Sequence, residues 1–413
     1  MPHPADLPHI PFSFEEYCVS LSGAYKQKQM KKIVIAIDSF KGCLHSLEAG
    51  KAAEKGIKTV FPTCETRVLP VSDGGEGLLD TLVTVLHGHF QQVRVHNPLM
   101  EPIESRYGIS GDGKTAIIEM AAASGLPLVP EDKRNPLLTT TYGTGELIHD
   151  ALDRGCRHFI VGIGGSATND AGVGLLQALG FRFINQSGQP IGKGGGELVH
   201  IKQIDTSSVH PALEKAHFTI ACDVQNPFCG PNGAAYVYAP QKGATPEMVQ
   251  TLDKGMHTFA KVIHTTTGYD ITSIPGAGAA GGLGGAMLAF LHAELKAGIQ
   301  LVLETLHFKE AIQDADLIFT GEGQADRQTT MGKVPAGILA EARKMEIPVI
   351  LIAGKVVDSE ILLKAGFQGV FSIVPGPMSL HESMQPDMAR ENSQRLITQI
   401  CSLFTLQNFG FRR

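Results

Sequence analysis

The chain has 413 residues, 43% of them apolar and 18% charged, and its 35 Lys and Arg against 41 Asp and Glu leave a net charge of −6. At about 150 residues per domain this length supports roughly two or three domains with their own cores, so a small stapled scaffold is excluded. The acidic balance provides no global basic field for phosphate backbones; small metabolites are the expected ligands, with nucleic acid not expected as a partner.

In chain order, residues 1–29 carry Pro2, Pro4, Pro8 and Pro11 but neither a basic n-region nor an apolar run, so they read as an extension ahead of the domain and not as a signal peptide. The apolar run 33–37 predicts a strand and 46–60 a helix with Ser46 as its N-cap; 66–71 and 78–86 repeat the pattern. From 91 to 120 polar and apolar residues alternate, which predicts half-exposed antiparallel strands. A buried strand over 159–163 lies between helices over 144–154 and 171–179. Strands over 219–222 and 234–238 and helices over 246–264 and 284–305 follow. Strands over 317–319, 349–352 and 370–374, with helices over 336–344, 359–365 and up to Phe404, close the chain. Two βα units at the start and three at the end make a flavodoxin-sized parallel sheet. The expected organisation is therefore α/β, with one domain of residues 30–90 plus 306–413 and an inserted α/β domain of residues 91–305.

Seven scattered cysteines with no C-x-x-C spacing point to a reducing compartment, the cytoplasm. The uncharged stretch 271–293 contains six glycines between Gly276 and Gly285, too many for a membrane span, and no membrane partner is expected. That cluster either approaches phosphates or simply connects domains.

Glycine, 47 residues in all, falls in clusters that bring backbone close to a ligand. Gly108-Ile109-Ser110-Gly111-Asp112-Gly113-Lys114-Thr115 matches a phosphate-binding P-loop letter by letter. Its setting is wrong: it joins two alternating strands, and Asp112-Gly113 is a hairpin turn. Gly162-x-Gly164-x-x-Ala167 follows a buried strand as a dinucleotide fingerprint should, yet the acid expected about 20 residues on is missing from Phe181-Arg182-Phe183-Ile184-Asn185. Hydride transfer with NAD thus remains an alternative reading, as does a non-catalytic nucleotide sensor. The loop Gly164-Gly165-Ser166-Ala167-Thr168-Asn169-Asp170 is either an anion site beside a helix N-terminus or a tight turn capped by Asp170. Three further segments place small residues and acids at strand C-terminal ends, where open α/β sheets bind ligands: Asp38-Ser39-Phe40-Lys41-Gly42, Ser72-Asp73-Gly74-Gly75-Glu76-Gly77 and Thr320-Gly321-Glu322-Gly323-Gln324-Ala325-Asp326. Their acids suit Mg²⁺ or a general base, or merely cap helices. Lys41 and Lys333 are either anion ligands or solvated surface, and Asp223 is either a ligand or an Asx turn. No Gly-x-Ser-x-Gly elbow and no H-x-x-x-H pair beside acids occurs, so acyl transfer and zinc hydrolysis find no support.

Together these loops resemble those of the type I glycerate kinases, from Lys32 to about Phe404. The resemblance implies ATP-dependent phosphorylation of D-glycerate. It also implies a flavodoxin-like (Rossmann-like) domain, a second domain of restriction-enzyme-like fold and a site in the cleft between them. Within that frame Asp73 is the expected base and Asp38 the second candidate. Ser39, Lys41 and Ser72 are expected to bind the acceptor, with Arg327 and Lys333 in reserve. ATP is expected at Gly164, Gly165, Ser166, Thr168 and Asn169 and at Gly321, Glu322 and Gly323, with Mg²⁺ on Asp223 or Asp326. The favoured product is 2-phosphoglycerate, with 3-phosphoglycerate the alternative.

Overall fold

A computed structural model describes residues 30–75 and 77–405. The predicted extension 1–29 and Glu76 lie outside the described residues. Five parallel strands form the first sheet: β1 (Lys32–Ile37), β2 (Glu65–Val68), β11 (Leu317–Ala325), β12 (Val349–Val356) and β13 (Gly369–Ser372), in the order β13-β12-β11-β1-β2. Counted along the chain within this sheet, that is the flavodoxin order 2-1-3-4-5. Its central strands open on apolar, largely β-branched runs, over residues 33–37, 317–319 and 349–353, because both faces are covered there. Ile33, Ile35 and Ile37 point to one face, against the helices Ser46–Val60 and Pro386–Leu403. Val34 and Ala36 point to the other, against Leu78–Val85, Gly298–Thr305 and Val334–Arg343. Where the first two helices cross, a Cβ on Gly56 would stand 2.6 Å from the Gln394 carbonyl, so only glycine allows that approach.

The second sheet is mixed. Strands β3 (His89–His96), β4 (Pro102–Ile109), β5 (Thr115–Glu119), β6 (His158–Gly162), β9 (His217–Ala221) and β10 (Glu294–Lys296) run in the order β10-β9-β6-β5-β4-β3. The ladders β3–β4 and β4–β5 are antiparallel, as the alternation predicts, and the rest are parallel. The short ribbon of β7 (Arg182–Ile184) and β8 (Gln203–Asp205) stands apart. The P-loop look-alike is the β4–β5 hairpin: Gly108 pairs with Ile117, and the Gly113 N–H donates to the Ser110 carbonyl at 2.9 Å.

Local expectations differ from the structure at four places. Residues Ala234–Tyr238 form a helical turn, not a strand: Ala234 and Ala235 are small enough to bury against the helices Pro246–Thr267 and Ala279–Leu291, while the β-favouring Tyr236 and Val237 face outward. The long helix expected to Thr305 is broken at His292, whose φ of 49° ends one helix and lets β10 join the sheet edge before Gly298–Thr305 begins. The segment expected as a loop from Thr320 is the second half of β11, held on β12 by pairs such as Glu322 with Ala353. The cap of the first helix is His45; the Ser46 hydroxyl instead donates to the Ile37 carbonyl at 2.6 Å and accepts the Val71 N–H at 2.8 Å, tying two strand ends together. No helix among the described residues is long and apolar enough to cross a membrane.

Candidate active site

The first sheet reverses its winding between β1 and β11, and there the acids gather. Asp38 follows β1 directly, with its N–H on the Gly321 carbonyl at 2.9 Å and its carboxylate accepting the Ser39 N–H at 2.7 Å. Burial, then the nearby charge of Asp73, pushes the Asp38 carboxyl up to about 7, against the pull of Lys41. Glu322, on β11, is likewise pushed up by burial, although Lys333 stands 3.3 Å from it.

Asp73 occupies the turn after the second strand. Its carboxylate accepts the Gly75 N–H at 3.1 Å, and Gly74, at φ +88°, packs so closely on Gly298 that a Cβ would lie 2.4 Å from that Cα. This contact joins the turn to the segment after β10. Asp223, at the end of β9, is anchored there too, accepting the Gly298 N–H at 2.9 Å. Burial pushes its carboxyl upward, and Asp73 adds to the shift.

Two pockets meet at the Asp73 turn. The larger, about 740 Å³, is lined by Asp38, Ser39, Lys41, Asp73, Glu322, Gly323, Asp326 and Lys333. An apolar wall of Met378, Leu380 and Met384 completes it. The smaller, about 360 Å³, is lined by Gly74, Gly75, Gly164, Gly165, Ser166 and Asp223, with Lys242 beside them. Ser72 lines a recess of about 250 Å³ that also touches Asp38 and Ser39.

Four expected site residues lie elsewhere. Thr168 and Asn169 are fully buried beneath their loop. Gly321 is packed inside the sheet against Ile352, and Arg327 lines none of these three pockets. Asp326 lies at the larger pocket, but its oxygens accept from Gln328 N–H at 2.8 Å and from the Gln324 amide at 2.7 Å, a helix-capping arrangement.

The Gly164 loop does not open a helix. The helix Val173–Ala178 starts later, and Asp170 takes up its free donors: the Gly172 and Gly174 N–H groups, each at 3.2 Å. The dinucleotide geometry that a hydride-transfer enzyme needs is therefore missing here. The N-cap position is Gly172, with Asp170 accepting from the N–H groups around it, and the amides of Gly164 and Gly165 remain without a protein acceptor among the described residues. Nothing in Pro240-Gln241-Lys242-Gly243 distinguishes Lys242 from any surface lysine. It is 2% exposed, with its ammonium donating to the Ser166 hydroxyl at 2.6 Å and the Thr168 carbonyl at 2.7 Å.

The model of the glycerate kinase family matches residues 33–405. A Bacillus subtilis glycerate kinase is 50% identical over 381 residues, covering 92% of this chain and 99% of the relative. A glycerate 2-kinase of Escherichia coli is 46% identical, over 86% of this chain and 93% of its own. A crystal structure of a Salmonella typhimurium LT2 protein assigned as glycerate kinase 2 superposes with a TM-score of 0.84 at 43% identity, covering 91% of this chain and 98% of that one. With both sheets, the loops and nearly the full length matched, the chain belongs to the glycerate kinase family.

Proposed function

We propose that the protein transfers the γ-phosphoryl group of ATP to D-glycerate, giving 2-phosphoglycerate and ADP. The observation that carries this reading is the meeting of two pockets of unequal size at one carboxylate, Asp73, beside the winding reversal of a flavodoxin-type sheet. Such a site holds two substrates with their reacting atoms adjacent. The acceptor oxygen forms its bond to the γ-phosphorus, the bond from that phosphorus to the bridging oxygen of ADP breaks, and Asp73 takes the hydroxyl proton.

The buried acids also fit a divalent cation. Asp38 is held up by burial and then by the negative charge of Asp73, which a cation relieves, and Asp223 presents an exposed carboxylate that also feels Asp73. Asp326 is committed to its cap, so Asp38 and Asp223 are the residues proposed to hold Mg²⁺. When bound, that ion would neutralise charge on the phosphates. Lys41 and Lys333 supply positive charge beside Asp38 and Glu322 in the larger pocket. The division of the chain into 30–90 plus 306–413 around 91–305 belongs to the same proposal, with the helix Gly298–Thr305 lying in the first sheet's core. The 2-position rests on the name of the Escherichia coli relative.

The test is ADP release from ATP and Mg²⁺ with D-glycerate, against L-glycerate and no acceptor, followed by phosphorus NMR. Turnover with D-glycerate and a phosphorus coupled to a single proton support the reading. A product phosphorylated on the terminal carbon would move the acceptor to the 3-hydroxyl.

Two further outcomes follow from the same geometry. Lys114 is exposed on the β4–β5 hairpin, remote in function from both pockets, so Lys114→Ala should leave the KM for ATP within about two-fold of wild type; a P-loop lysine would lose far more. Asp38 sets a pH-dependent cost on folding. Its folded-state pKa of about 7 lies above the ordinary 3.8, so its contribution is fully present below about pH 4 and is lost as pH rises through 7. Asp38→Asn, neutral throughout, should stabilise the metal-free protein at pH 8 by on the order of 2–4 kcal/mol and have little effect at pH 4. Urea titrations at both pH values would show it, and equal shifts at the two would refute it.

A further inference from the structure

We infer that the smaller pocket binds the acceptor, with Lys242 and the amides of Gly164 and Gly165 holding its carboxylate, and that the larger pocket binds the nucleotide. This allotment rests on the kinase reading and reverses the one expected from sequence, which put the nucleotide on the Gly164 loop and the acceptor on Ser39 and Lys41.

The first support is Lys242 itself. A buried ammonium is costly unless an anion answers it, yet both acceptors of Lys242 are neutral oxygens, and no carboxylate forms an ion pair with it among the described residues. Asp170 is the acid whose charge it feels, but the oxygens of Asp170 are occupied by Thr140, Thr141, Gly172 and Gly174. Burial pushes the Lys242 ammonium down to about 7, and an anion in the pocket would restore its charge. Gly164 and Gly165, whose amides have no protein acceptor among the described residues, line the same pocket as Lys242, and backbone N–H groups beside an ammonium are what a carboxylate requires.

The second support is size and wall chemistry. At about 360 Å³, with Ser166, Asp223 and Lys242 among its lining, the smaller pocket suits a short hydroxy acid and is cramped for a nucleoside triphosphate. The larger, about 740 Å³, offers Met378, Leu380 and Met384 for the flat face of a purine and Lys41 and Lys333 for phosphates. The third support is connectivity. Asp73 lines the larger pocket while the next two residues line the smaller, so an acceptor and a phosphoryl donor placed this way meet at the Asp73 turn.

One glycine in each pocket makes the allotment testable. Gly164 has no atom within 4 Å of an added Cβ, and Gly323 has none nearer than 3.7 Å, so a Cβ at either is accommodated beside the pocket that its glycine lines. In the full-length protein, Gly164→Val should raise the KM for D-glycerate by roughly 10- to 100-fold and leave the calorimetric affinity for MgATP within about two-fold. Gly323→Val should do the opposite. Lys242→Met should follow Gly164→Val, and because that lysine is buried, the two glycine variants decide the matter should it fail to fold. Loss of MgATP affinity in Gly164→Val with an unchanged KM for glycerate would overturn the allotment, as would no effect on either ligand. If wild type shows no glycerate-dependent turnover, the kinase reading fails; calorimetric titration of the same variants with D-glycerate and with MgATP still decides which pocket takes which ligand.

Discussion

Asp73→Asn is expected to lower kcat by roughly 100-fold or more while the protein stays folded, the usual scale for removing a positioned general base. Asparagine keeps the oxygen that accepts the Gly75 N–H, so the turn and its contact with Gly298 survive. What is lost is the carboxylate at the junction of the two pockets. A second readout comes with the first. The charge of Asp73 helps to hold the Asp38 and Asp223 carboxyls high, so both should titrate lower in the variant, visible by carbon NMR of the side-chain carboxyls. A variant that keeps most of its kcat would pass the base role to Asp38, the buried acid whose pKa near 7 also suits proton transfer at neutral pH.

The first sheet was readable because β1, β12 and the start of β11 are short, continuous apolar runs, and its helices repeat at the right spacing. What escaped were places where tertiary contacts outweigh local preference. Ala234–Tyr238 has strand-favouring residues, but the two alanines are what its neighbours need, and they make it a helical turn. The break at His292 follows no Pro or Gly signal, because the cause is a vacant sheet edge beside β9 that only the folded chain presents.

The same distinction governs the site. Asp38, Asp73, Glu322 and Asp223 were legible because strand ends of an open α/β sheet converge by topology, so position along the chain predicts position in space. Lys242 was not, since its role depends on burial by a loop 76 residues away in sequence. A lysine in a polar turn carries no mark of such burial. Thr168 and Asn169 failed for the reverse reason: polar residues in a glycine loop suggest a ligand, yet here they point into the core beneath it.

Asp170 carries the largest expected effect on stability. Its carboxylate is fully buried and accepts from the Thr141 N–H at 2.7 Å, the Thr141 hydroxyl at 2.9 Å, the Thr140 hydroxyl at 3.2 Å and the N–H groups of Gly172 and Gly174 at 3.2 Å each. Burial raises its pKa and these donors oppose that. Asp170→Ala removes the acceptor and strands several donors in a space that water does not reach. The expected loss is about 3–5 kcal/mol, read as a lower urea midpoint. Asp170→Asn should lose less, since one oxygen remains to accept while its amide faces donors it cannot satisfy. A loss below about 1 kcal/mol in the alanine variant would mean that the threonine and glycine donors find other acceptors. The carboxylate also fixes the end of the loop that begins at Gly164 and supplies the field around Lys242. A chain that survives Asp170→Asn should therefore show a raised KM for D-glycerate before any change in its affinity for MgATP.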